Sequence, residues 1–230
     1  MERRSGREPG RDPGRESGHG AGHGAGQGPE QEPGGGPGRD LTPLAARLRA
    51  LPPSCGPVRL IAVDGHAGSG KSTFAARLAE ALGGAPVVHT DDLATHDELF
   101  TWDQRFREQV VEPLARGESA RYGIYDWVRR EFGEWRELAP APVVLIEGVG
   151  TGRRALRPYL ACLLWMELAR EHSWERGQLR DGPGLSVFWD GWIHAERRHF
   201  AADPSRPYAD FLVHQGPAGY EVRVGPSGAP

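Results

Sequence analysis

Gly65-His66-Ala67-Gly68-Ser69-Gly70-Lys71-Ser72-Thr73 constrains this chain more than any other segment. It has the spacing of a phosphate-binding loop, between an apolar, β-branched run (Val58 to Val63) and an amphipathic stretch from Lys71 to Leu82. Strand, Gly-rich turn and helix in that order predict a parallel α/β unit. The glycines let the backbone wrap an anion with its N–H groups, and the helix presents free amides and the positive end of its dipole. Lys71 can reach the terminal phosphates of a nucleotide, and the Ser72 hydroxyl suits Mg²⁺. Lys71 is also the only lysine among 230 residues, in a chain whose other basic residues are arginines. A compact ammonium, which a planar guanidinium replaces poorly, is kept at this one place.

The rest of the chain extends the pattern. Residues 1–40 hold Gly, Pro, Arg, Glu and His with almost nothing apolar, so they predict a disordered tail, and the folded domain is expected over 41–226. Thr42-Pro43 predicts a helix start with Thr42 as its cap, the helix covering about 43–51. Short apolar runs predict strands at 58–63, 86–89, 143–146, 161–166 and 209–213, and 220–224 offers a further edge strand. Helices are expected over 97–115, 168–180 and 186–201, while 118–138 is aromatic and charged without a clear period. Strands alternating with helices give a parallel sheet of about five strands covered on both faces.

Composition excludes several classes. A net charge of -3 gives no footprint for nucleic acid. No apolar run approaches the roughly 18–20 residues of a membrane span, and none follows the first Met, so the expectation is a cytoplasmic protein without a membrane partner. Two cysteines build neither a disulfide framework nor a zinc cage. The absence of Asn removes the Asn-Lys-x-Asp signature of guanine recognition. A small kinase remains, or an ATP-binding regulatory protein. Nothing in the sequence indicates an oligomeric state.

Ligands of open α/β sheets sit beyond the carboxyl ends of the strands. Asp91-Asp92 follow the second strand, Glu147-Gly148 the third, and Arg170, Arg176 and Arg180 the fourth. Phosphoryl transfer needs a carboxylate at the acceptor hydroxyl, one for Mg²⁺, and cations for the charge in flight, and these groups supply all three. A nucleoside monophosphate kinase would need further arginines at an acceptor phosphate, for which Arg129 and Arg130 are the candidates.

The phosphate loop, the Asp pair, Tyr125-Asp126-Trp127 and Val143-Val144-Leu145-Ile146-Glu147-Gly148 together resemble the uridine kinase and phosphoribulokinase group of P-loop kinases, over about 58–213. Closer still, the chain looks like a branch of that group with unassigned substrate. The resemblance implies a three-layer P-loop NTPase domain of nucleoside-kinase type. It implies ATP and Mg²⁺, with the metal on Ser72 and Glu147, and a small-molecule acceptor, a nucleoside or related sugar. It further implies Asp91 as general base, Lys71, Arg176 and Arg180 as catalytic cations, and Asp92, Asp103, Tyr125 and Asp126 on the acceptor; Arg130 is a further acceptor-side candidate, from its charge and not from the resemblance. Two features depart from the pattern. No His follows Tyr125-Asp126-Trp127, where the group holds its pyrimidine, and Leu93-Ala94 replace an expected aromatic residue.

Overall fold

The computed structural model describes residues 40–228, all within one compact unit. Apart from Asp40, the tail expected over 1–40 lies outside the described residues. Helix α1, Thr42–Ala50, starts one residue early: the Asp40 Oδ1 accepts the Thr42 N–H at 2.8 Å, so Thr42 is the first helical residue and not the cap. Strand β1, Arg59–Asp64, leads through the phosphate loop into α2, Lys71–Ala81. Gly83 and Gly84, with φ of 82° and 87°, end that helix in the left-handed region that glycine tolerates. Strand β2 is Val87–His89.

The helix expected over 97–115 begins only at α3, Asp103–Phe106, and passes through a π turn, Arg107–Val111, into α4, Glu112–Ala115. Pro113 has no N–H to offer the Gln109 carbonyl, and the register widens just before it. The aperiodic segment over 118–138 is a hairpin, β3, Ala120–Asp126, with β4, Glu131–Leu138. All of β4 except Leu138 is exposed, so no buried-exposed alternation marks it in the sequence. The chain continues through β5, Val143–Glu147, β6, Leu160–Met166, α5, Arg170–Asp181, α6, Ser186–Ala202, β7, Phe211–Gly216, and β8, Gly219–Val224.

The main sheet has six strands in the order β2-β5-β1-β6-β7-β8, one more than the expected five. The addition is β8, which returns antiparallel to β7; the other pairs are parallel. Its anchor is Tyr220, buried with its ring centroid 4.9 Å from that of Phe74. Alternate residues of the central strands face opposite layers. Leu60, Ala62, Val144 and Ile146 pack with Phe106, Val110, Leu114 and Tyr122. Ile61, Val63, Leu145 and Leu164 pack with Leu44, Leu48, Phe74 and Leu78. Strand registers place Val63 beside Glu147 and Glu147 beside His89, so the ends of β1, β5 and β2 form one continuous rim.

Candidate active site

The phosphate loop crosses this rim. Gly65, Gly68 and Gly70 have φ of 149°, 82° and 94°, values that side chains resist. Gly68 is the most confined: an added Cβ would lie 2.0 Å from the Ser173 carbonyl oxygen, because the backbone of α5 rests on the loop. Gly68→Ala is therefore expected to weaken Mg·ATP binding at least tenfold while the protein stays folded, as titration calorimetry would read; wild-type affinity in this variant would show that the loop has room to move. Lys71 is buried, and its Nζ donates to the His66 carbonyl at 2.9 Å. The Ser69 hydroxyl is buried with no hydrogen-bond partner among the described residues, as suits a loop shaped around an anion that supplies acceptors. His66, Ala67 and Thr73 complete the loop and the start of α2.

Three groups converge beside Lys71. The Ser72 hydroxyl donates to Glu147 Oε1 at 3.0 Å, and His89 Nδ1 donates to the same oxygen at 2.6 Å. Burial pushes the pKa of Glu147 up, but the His89 bond, the charges of Lys71 and His89 and the Ser72 bond together hold it below the ordinary carboxylate value. His89 is shifted upward, first by its bond to Glu147. Gly148 follows Glu147 because its α-carbon meets the end of β2: a Cβ there would sit 1.7 Å from Thr90 Oγ1. Among the described residues, no three His, Cys, Asp or Glu side chains gather into a ready-made metal cage. Ser72 and Glu147 offer one hydroxyl and one carboxylate, a donor set that Mg²⁺ completes with water and phosphate oxygens. The residues present fit that ion.

Asp91 and Asp92 follow β2 in a short 3₁₀ turn, Thr90–Asp92. Asp91 is exposed by surface area yet crowded in the cleft. Lost solvation raises its pKa first and the charge of Glu147 raises it further, against Lys71 and His89. Asp92 pairs with Arg136 of β4 at 3.2 Å. Tyr125-Asp126-Trp127 divides its work among three contacts. The Trp127 Nε1–H donates to the Asp91 carbonyl at 3.0 Å, holding the backbone of that carboxylate. The Tyr125 hydroxyl lies 3.0 Å from His96 Nδ1. Asp126 Oδ1 accepts the Val128 and Arg129 amides, both at 2.8 Å, and so closes the hairpin turn. Arg130 is exposed in that turn with φ of 61° and has no ion-pair partner among the described residues. The structure places Asp126 in the turn and Arg130 on its surface.

Asp103 is also engaged elsewhere: its Oδ1 accepts from Arg153 Nη1 at 2.7 Å, tying α3 to the loop after β5. Four residues apart, Arg176 and Arg180 stand on one face of α5. Arg180 bonds Asp181 at 2.6 Å, and that bond first, with the charge of Asp91 last, raises its pKa. Two residues were not singled out in the sequence. Asp64 is fully buried and accepts the amides of Gly65 at 2.7 Å and of Gly150 and Gly152 at 2.8 Å, locking the phosphate loop to the loop after β5. Its place directly before Gly65 was the available signal. His96 packs against Trp127 with ring centroids 4.9 Å apart, so a histidine does meet the hairpin aromatics, from upstream of the motif and not after it.

Sheet order, phosphate loop and the carboxylates at the rim define the fold as that of the P-loop kinases. No family model matches the chain. Proteins named uridine kinase from Borrelia duttonii (strain Ly) and Borrelia recurrentis (strain A1) are each 18% identical over 180 residues, spanning 69% of this chain and 87% of theirs. A solved structure described as a possible uridine kinase from Bacillus stearothermophilus superposes with a TM-score of 0.55 at 18% identity, covering 75% of this chain and 96% of that one. The chain thus resembles the uridine kinase-like group in sequence and shares its fold. Among the described residues, no helix is long and apolar enough to cross a membrane.

Proposed function

We propose that this protein is a small-molecule kinase that transfers the γ-phosphoryl group of ATP to a hydroxyl, with a nucleoside or related sugar as acceptor. The observation that carries the reading is the meeting of the phosphate loop with two differently tuned carboxylates: Glu147, bonded to Ser72 and held below the ordinary value, and Asp91, raised by lost solvation and by the charge of Glu147. Kinship with kinases supports the reaction class.

In this reading the loop amides and Lys71 hold the phosphates. Ser72 and Glu147 would hold Mg²⁺, which when bound would neutralise phosphate charge. Asp91 takes the proton of the attacking hydroxyl as the new O–P bond forms and the bond to the bridging oxygen breaks, releasing ADP. Arg176 and Arg180 of α5 supply the cations for the charge in transfer. The aromatic wall of Tyr125, Trp127, His96 and Phe188 favours a flat acceptor: the Phe188 centroid lies 6.1 Å from that of Trp127.

The test is a panel of nucleosides, pentoses and their phosphates incubated with Mg·ATP and read by mass spectrometry. The expected outcome is a phosphomonoester of one nucleoside or sugar. Phosphorylation confined to nucleoside monophosphates would move the assignment to the monophosphate kinases.

A further inference from the structure

Glu196 of α6 has no part in the account so far, yet it is fully buried. Both of its oxygens are saturated. Oε1 accepts from His66 Nδ1 at 2.7 Å and from Trp174 Nε1 at 3.1 Å. Oε2 accepts from the Ala67 amide at 3.2 Å and from Trp192 Nε1 at 2.8 Å. Two donors thus come from the phosphate loop, one from α5 and one from α6. A buried carboxylate is costly unless every lone pair is met, and apolar residues would fill a packing site at lower cost. The loop contacts therefore ask for a reason of their own.

His66 provides one. Its imidazole is boxed edge-on by Trp165, Trp174 and Phe200 at centroid distances of 5.3, 6.1 and 5.2 Å, so Glu196 meets a ring with little freedom to turn. The carbonyl of the same residue accepts Lys71 Nζ at 2.9 Å and the Ser69 amide at 3.0 Å. A line of contacts thus runs from Glu196 through His66 to the lysine of the phosphate loop.

We infer that Glu196 is a positioning residue for the phosphate loop, fixing His66 and Ala67 so that the His66 carbonyl and the loop amides set Lys71 for nucleotide. The inference rests on the nucleotide-binding reading above. Burial alone would raise the pKa of Glu196. The bond and charge of His66, the charge of Lys71 and the Trp192 bond instead hold it below the ordinary value, so the clamp is a carboxylate. Glu196→Gln keeps the shape but turns one acceptor into an NH₂, which then faces donors it cannot satisfy. His66→Ala removes one loop donor and leaves the carboxylate in place.

The experiment measures Mg·ATP affinity of the full chain by titration calorimetry, well below the melting temperature, for wild type, Lys71→Ala, Glu196→Gln, His66→Ala and the Glu196→Gln/His66→Ala double variant. The expected result is a loss of at least tenfold for Glu196→Gln, a smaller loss for His66→Ala, and a double variant no worse than Glu196→Gln alone, since the His66 contact is part of what Glu196→Gln already disturbs. A purely structural residue would lower the melting temperature but leave the affinity of the folded protein within twofold of wild type, and that result overturns the inference. So does full additivity in the double variant. If Glu196→Gln does not fold, unchanged affinity in His66→Ala overturns it as well. No binding by the wild type would remove the nucleotide reading and this inference together. Binding lost in Lys71→Ala but retained in Glu196→Gln would remove the inference alone.

Discussion

Replacing Lys71 with alanine is expected to abolish most of the stabilisation that Mg·ATP gives the wild-type protein. A ligand that binds only the folded state at about 100-fold excess over its Kd adds roughly 2.7 kcal/mol. In a chain of this size that raises the melting temperature by roughly 5–10 °C. Lys71 is the only lysine of the chain, is buried at the start of α2, and already points its ammonium into the loop at the His66 carbonyl. Its removal deletes the one mobile cation inside the loop and leaves the glycine backbone untouched. The apo variant should still fold, because the His66 carbonyl keeps its bond from the Ser69 amide at 3.0 Å. Differential scanning fluorimetry with and without millimolar Mg·ATP reads the effect. A wild-type melting temperature that ignores Mg·ATP would remove the nucleotide assignment. A Lys71→Ala variant that keeps the full shift would remove Lys71 as a phosphate ligand.

Asp91→Asn is expected to cut turnover by about 10²–10⁴-fold, the usual worth of a positioned base, while Mg·ATP binding survives. Asp91 has its backbone held by Trp127 and its carboxyl raised by the cleft and by Glu147. Its partner Asp92 is tied to Arg136, so Asp92→Asn should cost less. The raised pKa also has a pH consequence. The base acts only when deprotonated, so turnover should fall on acidification with a midpoint above the ordinary Asp value of 3.8. A carboxyl raised in the folded state binds its proton more tightly there than in the unfolded chain, so its ionisation opposes folding at neutral pH. Asp91→Asn should therefore melt at or above the wild-type temperature while losing activity. Transfer lost in Asp92→Asn and kept in Asp91→Asn would reverse the two roles.

How much of this was legible beforehand depends on how local each signal is. The phosphate loop and Glu147-Gly148 are short spacings bound to strand ends, and the structure brings Ser72 and Glu147 within hydrogen-bonding distance across 75 residues of chain. The three-layer fold follows from buried strands that read as continuous apolar runs. The hairpin was illegible because β4 is solvated on both faces, so its sequence shows no period. Upstream of Asp103, where the helix begins, Phe100 and Trp102 are apolar for tertiary reasons and not as a helix face. Phe100 stacks on His199 at 4.9 Å, and Trp102 lies under Arg153 at 4.1 Å. Position in a pattern places Asp126 and Asp103 near the acceptor, whereas the bonds of their carboxylates to backbone amides and to Arg153 depend on the tertiary structure. His96 and Glu196 reach their partners through the fold alone, and one sequence offers no spacing that would pick them out.

The most direct measurement follows the γ-phosphoryl group itself. The full chain is incubated with Mg²⁺ and ATP labelled at the γ-phosphorus, with and without the acceptor panel, and the products are separated. A kinase places the label in an organic phosphomonoester in step with ADP formation, depends on the acceptor, and loses the transfer in Asp91→Asn. Label that appears only as inorganic phosphate, at a rate no acceptor changes, would contradict phosphoryl transfer to a small molecule and leave an ATP-hydrolysing regulatory protein in its place.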